Sequence, residues 1–396
     1  METALLGLAV ASLLAWLYLV FLHGDFWKAD QRLDPHLGRE EPSEGWPAAA
    51  AIIPARNESE GIQRCVESLL QQDYPGRFDI VLVDDQSEDS TGELARQLAS
   101  VHPRGERLHV VRAAHRPTGW VGKMWAVETG IRQAEQALPD ARYLLLTDAD
   151  VEHGPSNLRR LVARAETERL DLVSLMVRLH CKSGWEKLLI PAFVYFFQQL
   201  YPFPRINDPG SRTAGAAGGC MLVRAEALEA VGGIASIRAE IIDDCALGAA
   251  VKSKGAIWLG LSAEEYSFRP YKGLGDIWDM VARSAYTQLR HSALLLAGCT
   301  AGLALVYLVP PLLTVGGIFA GHPLAALLAG IAWALMTFTF LPTLRLYRLP
   351  AWRSLLLPVA GLLYTAMTLD SGRRHASGHG AEWKGRVGAG AQKSDT

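Results

Sequence analysis

Two stretches of this 396-residue chain carry no charged side chain over lengths suited to crossing a bilayer, and they bracket everything else. Ala4 to Leu22 is uninterrupted by charge, and Ala293 to Leu344 carries no charge other than one that His322 can take on. In hydrocarbon each backbone N–H and C=O must be satisfied within its own segment, so such stretches are helices. The second is long enough to split into Ala293–Phe319 and Leu324–Leu341, with Gly321-His-Pro323 as the turn. Leu355–Leu369 is a fourth candidate, shorter and interrupted by Pro358, and open to an interfacial or re-entrant reading. The first segment lacks a basic leader and a small-residue cleavage site, and reads as an anchor. What lies between has to fold as a body tethered to the membrane at both ends.

Lys and Arg set the expected orientation. None precedes the first segment, whereas Lys28, Arg32 and Arg39 follow it, which predicts an amino terminus outside and residues 24–292 in the cytoplasm. Arg345, Arg348 and Arg353 agree. Arg373, Arg374, Lys384, Arg386 and Lys393 would face outwards if all four candidates crossed, which predicts that one does not. A net charge of −2 gives no reason to expect a nucleic acid partner. The five cysteines form no Cys-x-x-Cys pair and read as reduced cytoplasmic thiols, not as a zinc site or disulfide framework.

Within the central body, short hydrophobic runs alternate with helical periodicity. Ala48–Ile53, Asp79–Val83, Leu108–Val111 and Tyr143–Thr147 read as strands. Helices are expected over Ser59–Gln71, Thr91–Ala99 (capped by Asp89 or Ser90) and Lys123–Ala137. Such alternation implies an α/β fold with a parallel sheet whose loops gather along one edge. Each strand of this half ends in polar residues: Arg56-Asn57-Glu58, Asp84-Asp85, then Asp148-Ala-Asp150. One such cluster is a turn or helix cap; three at one edge fit a nucleotide site. Neither Gly-x-Gly-x-x-Gly nor a P-loop is present, which argues against nicotinamide and P-loop chemistry. Side chains i and i+2 of an extended chain share a side, so Asp148 and Asp150 are expected to face one hard divalent cation. His153 nearby is expected at the surface, without a metal role.

Ile53-Pro-Ala-Arg-Asn-Glu58, Val83-Asp-Asp-Gln-Ser-Glu-Asp89, Gly122-Lys123, Thr147-Asp-Ala-Asp150 and Ile242-Asp-Asp-Cys-Ala-Leu247 occur in the order found in family 2 glycosyltransferases, and the chain resembles them. Gly119–Trp125, Asp171–Val177, the aromatic run through Tyr201-Pro-Phe203 and Ala217–Val223 narrow the resemblance to the hopene-associated membrane type of hopanoid-producing bacteria. It extends from the first apolar segment to Trp383-Lys-Gly-Arg386. It implies a GT-A, Rossmann-like nucleotide-sugar-binding domain with transmembrane helices at both ends, acting by inversion at the inner membrane of a bacterium.

Carried over, Glu58 and the Asp84–Asp85 pair correspond to positions that hold the uracil and ribose of a UDP-type donor. Lys123 corresponds to a basic residue near the diphosphate, although a solvated first-turn lysine is its bland reading. Asp148 and Asp150 would hold Mg²⁺ or Mn²⁺, one of them directly or both. Asp244 is the expected base that takes the acceptor proton, with Asp243 orienting it or binding acceptor; a cap before the helix Cys245–Lys254 is compatible with that role. Arg56 stands where many relatives have an aromatic residue.

Trp185 to Phe203 is aromatic throughout, which fits a core helix or an interfacial element beside a lipid acceptor. Leu274 to His291 reads as an amphipathic helix with Ile277, Val281, Ala285 and Leu289 in one stripe and Arg283 and Arg290 on another face. Thr287-Gln-Leu-Arg-His291 retains the arginine but not the tryptophan of the motif in processive relatives, so Arg290 is a candidate donor-diphosphate ligand. The expected organisation is an anchor over 1–23, a linker over 24–47, the catalytic domain over 48–270, an interfacial segment over 271–292, a membrane region over 293–370 and a flexible tail over 371–396. The acceptor expected is a membrane lipid such as a hopanoid. A polyprenyl-phosphate acceptor and a non-catalytic membrane component are the alternatives.

Overall fold

Small and β-branched residues make Ala49–Ala55 (β1) a strand that can be covered on both faces, and all seven of its residues are buried. Ala49, Ala51 and Ile53 join a core cluster with Ile62, Val66 and Leu69, from the helix Ile62–Leu70. The opposite face meets the helix Gly122–Ala137, where a Cβ at Gly130 would lie 2.5 Å from Ile52 Cγ2, so the backbones approach as only glycine permits. Ile52 and Ile53 are fully buried on opposite faces, each contributing about 1.5–3 kcal/mol.

The computed structural model describes residues 2–40, 42, 44–377 and the backbone of 382–383 and 386–387. The chain divides into a sheet unit (Asp30–His180, Arg205–Arg269, Glu382–Thr396) and a helical unit (Met1–Ala29, Cys181–Pro204, Pro270–Ala381). The sheet unit adds Phe78–Asp84 (β2), Leu108–Arg112 (β3), Tyr143–Thr147 (β4), Val151–Glu152 (β5), Leu172–Arg178 (β6), Cys220–Arg224 (β7) and Ile257–Ser267 (β8). Their order is β3-β2-β1-β4-β7-β6-β8-β5. The first four run parallel, as alternating strands and helices predict. The rest departs from that expectation: β7 is antiparallel to both β4 and β6, β8 is parallel to β6, and β5 is antiparallel to β8.

These directions decide what meets at the functional edge. Strand order reverses between β1 and β4, which opens a crevice at their carboxyl ends. Because β7 runs against β4, with Thr147 opposite Cys220, the glycines that precede β7 arrive beside Asp148. The far end of β8 reaches the same edge, where Val151 pairs with Ser267. Helix bounds differ modestly from the sequence expectation. Ser59–Gly61 form a turn before the helix at Ile62, since Glu58 O already accepts from the N–H of Gly61 and of Ile62. The helix after β2 runs Thr91–Val101, with Asp89 rather than Ser90 accepting from Thr91 N at 3.0 Å.

In the helical unit, Glu2–Phe21, Ala293–Phe319, Pro323–Leu346 and Ala351–Ala376 are each long and apolar enough to cross a membrane. The fourth is 26 residues long, not the short segment expected, because Pro358 falls in the first turn of its α-helical part, where no N–H is needed. It continues through Ala376, past the expected start of a flexible tail. Trp278 Nε1 donates to Asp370 (2.9 Å), Tyr286 N to Ser371 Oγ (3.0 Å), and Arg374 pairs with Asp279 (2.7 Å), which orders this end against the helix Leu274–Gln288. Lys384 and Lys393 lie outside the described residues.

The span Ala293–Phe319 contains a π-helical turn over Ala304–Leu308, just before Pro310-Pro311. Proline cannot donate to the carbonyl four residues back, and Val306 O receives Trp16 Nε1 (2.8 Å) instead, with Ser12 Oγ on Leu305 O (3.0 Å). The aromatic helix Gly184–Leu200 takes its core reading. Tyr195 is fully buried and bonded to Thr339 Oγ1 (2.8 Å), and Phe196 packs edge-on against Tyr307 and Tyr364. Only at its rim, as at Trp185, is it exposed.

Candidate active site

The hydrophobic strand β4 ends at Thr147, and Asp148-Ala-Asp150 follows as a turn closed by Val151 N on Asp148 O (3.3 Å). The two carboxylates, expected to face one cation, here each lie against a different basic side chain. Asp148 Oδ1 lies 3.0 Å from Lys123 Nζ, which also lies 3.2 Å from Asp243 Oδ2. Asp150 Oδ2 accepts from Ser267 Oγ (3.0 Å) and Arg269 Nε (2.9 Å). Arg269 Nη2 reaches Glu58 Oε1 at 2.6 Å.

Lys123 is the second residue of the helix Gly122–Ala137, and three sequence-predicted residues therefore meet: Lys123, Asp148 and Asp243. Burial works against its ammonium, but Asp148 and then Asp243 more than reverse this and hold it above the ordinary lysine range. The three line the polar end of a pocket whose apolar wall includes Met124, Val127 and Leu146.

Asp243 and Asp244 open the helix Asp243–Lys252, inside its first turn rather than ahead of it as expected. Acids there oppose the helix dipole favourably and accept from its unpaired N–H groups. Asp244 Oδ1 accepts from Cys245 N (2.7 Å) and Oδ2 from Gly218 N (2.9 Å). Burial, then the neighbouring Asp243, pushes its carboxyl up to about 6, while Lys123 and the two N–H groups pull the other way. A half-buried carboxylate of that basicity has the properties of a general base near neutral pH.

The loops after β1 and β2 are laced together. The buried Arg56 donates through Nη1 to Asp85 O (2.8 Å) and Gln86 O (3.0 Å), so it fastens two loops. Glu58 N donates to Thr91 Oγ1 (2.8 Å), and Asn57 Oδ1 accepts from Glu88 N (2.9 Å). Asp84 is buried and turned to the backbone, accepting from Ser87 N (2.8 Å), the geometry of a turn-former. Asp85 is 1 % exposed.

His153 is not at the surface. It is buried between Thr147 Oγ1 (2.9 Å) and Asn157 Nδ2 (2.9 Å), and burial holds its pKa down to about 3, which keeps it neutral. Arg290 belongs to the helical unit. The helix there ends at Gln288 and Arg290 has φ 51°, so the backbone has left the helix and Arg290 no longer shares a face with Arg283.

Arg269 and Ser267 were not among the residues singled out in sequence, whereas Gly218 lies in the Ala217–Val223 motif. Ser267-Phe-Arg269 ends a strand, and the rule that marked Glu58, Asp85 and Asp148 applies equally there. Its signal was hidden because Ile257–Ser267 joins the sheet through partners distant in sequence.

Two carboxylates one residue apart are hard oxygen donors of the type that suit Mg²⁺ or Mn²⁺. Among the described residues no three His, Cys, Asp or Glu side chains gather to hold a metal. By its chemistry the pair suits a cation whose remaining ligands are diphosphate and water.

Residues 50–232 match the family described as Glycosyl transferase family 2. The chain is 34 % identical over 103 residues to 4,4'-diaponeurosporenoate glycosyltransferase of Staphylococcus haemolyticus, covering 26 % of this chain and 24 % of that protein. It is 27 % identical over 157 residues to dodecaprenyl-phosphate galacturonate synthase of Rhizobium johnstonii, covering 39 % and 40 %. The chain spans less than half the length of the curated relatives it matches. Among solved structures, the mannosyltransferase PcManGT from Pyrobaculum calidifontis in complex with GDP-Man and Mn²⁺ superposes with a TM-score of 0.50 at 17 % identity, covering 91 % of this chain and 99 % of that one. The sheet unit has the GT-A fold, with a mixed sheet.

Proposed function

We propose, from the premise that residues 50–232 form a family 2 glycosyltransferase domain, that this chain transfers a sugar from a nucleotide-sugar donor to a membrane lipid with inversion at the anomeric carbon. The observation that carries the reading is Asp244, a half-buried carboxylate held by Gly218 N and Cys245 N with its pKa raised to about 6, beside the Lys123–Asp148–Asp243 cluster.

Single-displacement transfer needs one base to accept the acceptor's hydroxyl proton while its oxygen attacks the anomeric carbon. Asp244 takes that proton. The two backbone N–H groups fix its carboxylate, and burial, then Asp243, raises its basicity while Asp243 also anchors Lys123. The ammonium of Lys123 faces the charge that develops on the departing nucleoside diphosphate, where a pre-placed cation lowers the barrier. Asp148 and Asp150 are the residues that would hold a divalent ion bound with the donor, and that ion would supply further positive charge to the leaving group. Glu58 and Asp85 recognise the nucleoside, since carboxylates accept from base N–H and ribose hydroxyls. Asp84 braces the loop beside them. The donor expected is UDP-linked, and Arg290 is assigned to its diphosphate on its motif alone.

Four helices able to span a membrane support a lipid acceptor, because a soluble acceptor requires none. The finer identity we assign is a hopanoid, on the motifs of the opening analysis, with the sheet unit on the cytoplasmic face of a bacterial inner membrane. Polyprenyl phosphate is the second reading, supported by the name of the Rhizobium johnstonii relative. Labelled UDP-sugars supplied to membranes containing the protein, followed by mass spectrometry of the lipids, separate the two. Absence of any labelled lipid with every nucleotide sugar offered overturns both.

A further inference from the structure

We propose that Arg269 is the counter-cation of Asp150 in the donor-free protein, and that a divalent cation gains this carboxylate only when a nucleoside diphosphate draws the guanidinium away. The inference rests on the glycosyl-transfer reading and adds to it a residue that controls when metal enters.

The position of Arg269 is set by the main chain. Val151 pairs with Ser267 and Glu152 with Tyr266, and Phe268 N donates to Asp150 O at 3.0 Å. The Phe268 ring lies where a side chain on Gly61 would be, 2.1 Å from its notional Cβ, and under the Arg64 guanidinium at 4.9 Å. Phe268 therefore wedges the end of β8 against the loop that carries Glu58. What remains free to move is the arginine side chain, which is 41 % exposed. Its guanidinium spans Asp150 through Nε and Glu58 through Nη2, and so ties the metal carboxylate to the nucleoside carboxylate.

The charges argue for competition. Asp148 is paired with Lys123 and Asp150 with Arg269, so a bare divalent cation must displace or share two positive groups before it gains two carboxylates. Desolvation and like-charge repulsion then offset most of the attraction. A diphosphate changes the balance, because a guanidinium binds phosphate oxygens bidentately and the same oxygens complete the metal's coordination. By linkage, nucleotide and metal each raise the other's affinity.

The test is a Mn²⁺ titration of the full-length protein in detergent, read by electron paramagnetic resonance, with Mn²⁺ alone and with Mn²⁺ plus UDP. Wild type is expected to bind Mn²⁺ weakly alone and at least tenfold more tightly with UDP. Arg269→Gln is expected to tighten Mn²⁺ binding without UDP about tenfold and to shrink the UDP-dependent gain. Arg269→Lys keeps a charge but loses the fork that spans two carboxylates, and should fall between them, giving a folded comparison if the glutamine variant does not melt cooperatively. Unchanged or weaker Mn²⁺ binding in both variants, with UDP still bound by wild type, overturns the arginine proposal and leaves glycosyl transfer standing. Failure of wild type to bind UDP or GDP under any metal overturns both.

Discussion

Replacing Asp243 by asparagine tests the electrostatics of the base directly. With Asp244 raised to about 6, log kcat/KM should climb with unit slope through the acid range and level off above about pH 6. Asp243 is the second cause of that elevation after burial. Two neighbouring carboxylates about 6 Å apart, at an effective dielectric of about 40 for a half-buried pair, repel by about 1.4 kcal/mol, or about one pH unit. The substitution also releases Lys123, now 3.2 Å from the Asp243 carboxylate, to act on the remaining acids, and this works in the same direction. The half-point should fall to about pH 5, so the rate at pH 5 relative to the plateau rises from about one-tenth to about one-half. The assay is transfer to extracted lipid between about pH 4.5 and 8.5, each variant normalised to its own plateau, which separates basicity from lost acceptor contacts. Lys123→Met should move the half-point upwards. A profile that keeps its half-point in Asp243→Asn, or moves it up, refutes the assignment of Asp244 as the titrating base.

Three further outcomes are expected. Asp244→Asn should cut kcat by about 10²–10⁴ while leaving donor binding by calorimetry within about threefold, and a wild-type rate would remove Asp244 from the mechanism. Gly248→Ala puts a Cβ 2.8 Å from the Gly215 carbonyl carbon, so the helix Asp243–Lys252 must shift and take Asp244 from Gly218; a loss of about 1–3 kcal/mol and at least tenfold in kcat is expected, read by melting and by turnover. Trp16→Phe keeps an aromatic ring but strips Val306 O of its donor, which should cost about 1 kcal/mol in detergent, seen as a lower melting temperature with unchanged donor affinity.

Local chemistry determined much of this protein without a structure. The charge-free segments, the parallel strands β1 to β4, and the acidic ends of those strands are encoded by runs of neighbouring residues, so Asp148, Asp243 and Lys123 were all legible. Their meaning was not, because meaning came from contacts between residues far apart in the chain. Only the antiparallel course of β7 carries Gly218 to Asp244, and only the pairing of β5 with β8 carries Arg269 to Asp150. The same distance in sequence hid the contact of His153 N with Ser68 Oγ and the role of Arg56 as a fastening between loops. An alternation rule assigned Asp148 and Asp150 to one cation, but nothing local announced that Lys123 would lie beside the first and Arg269 beside the second. Hydrophobic pattern and propensity act over a few residues, whereas the partner of a charge is settled by whichever strand end the completed sheet brings within about 3 Å.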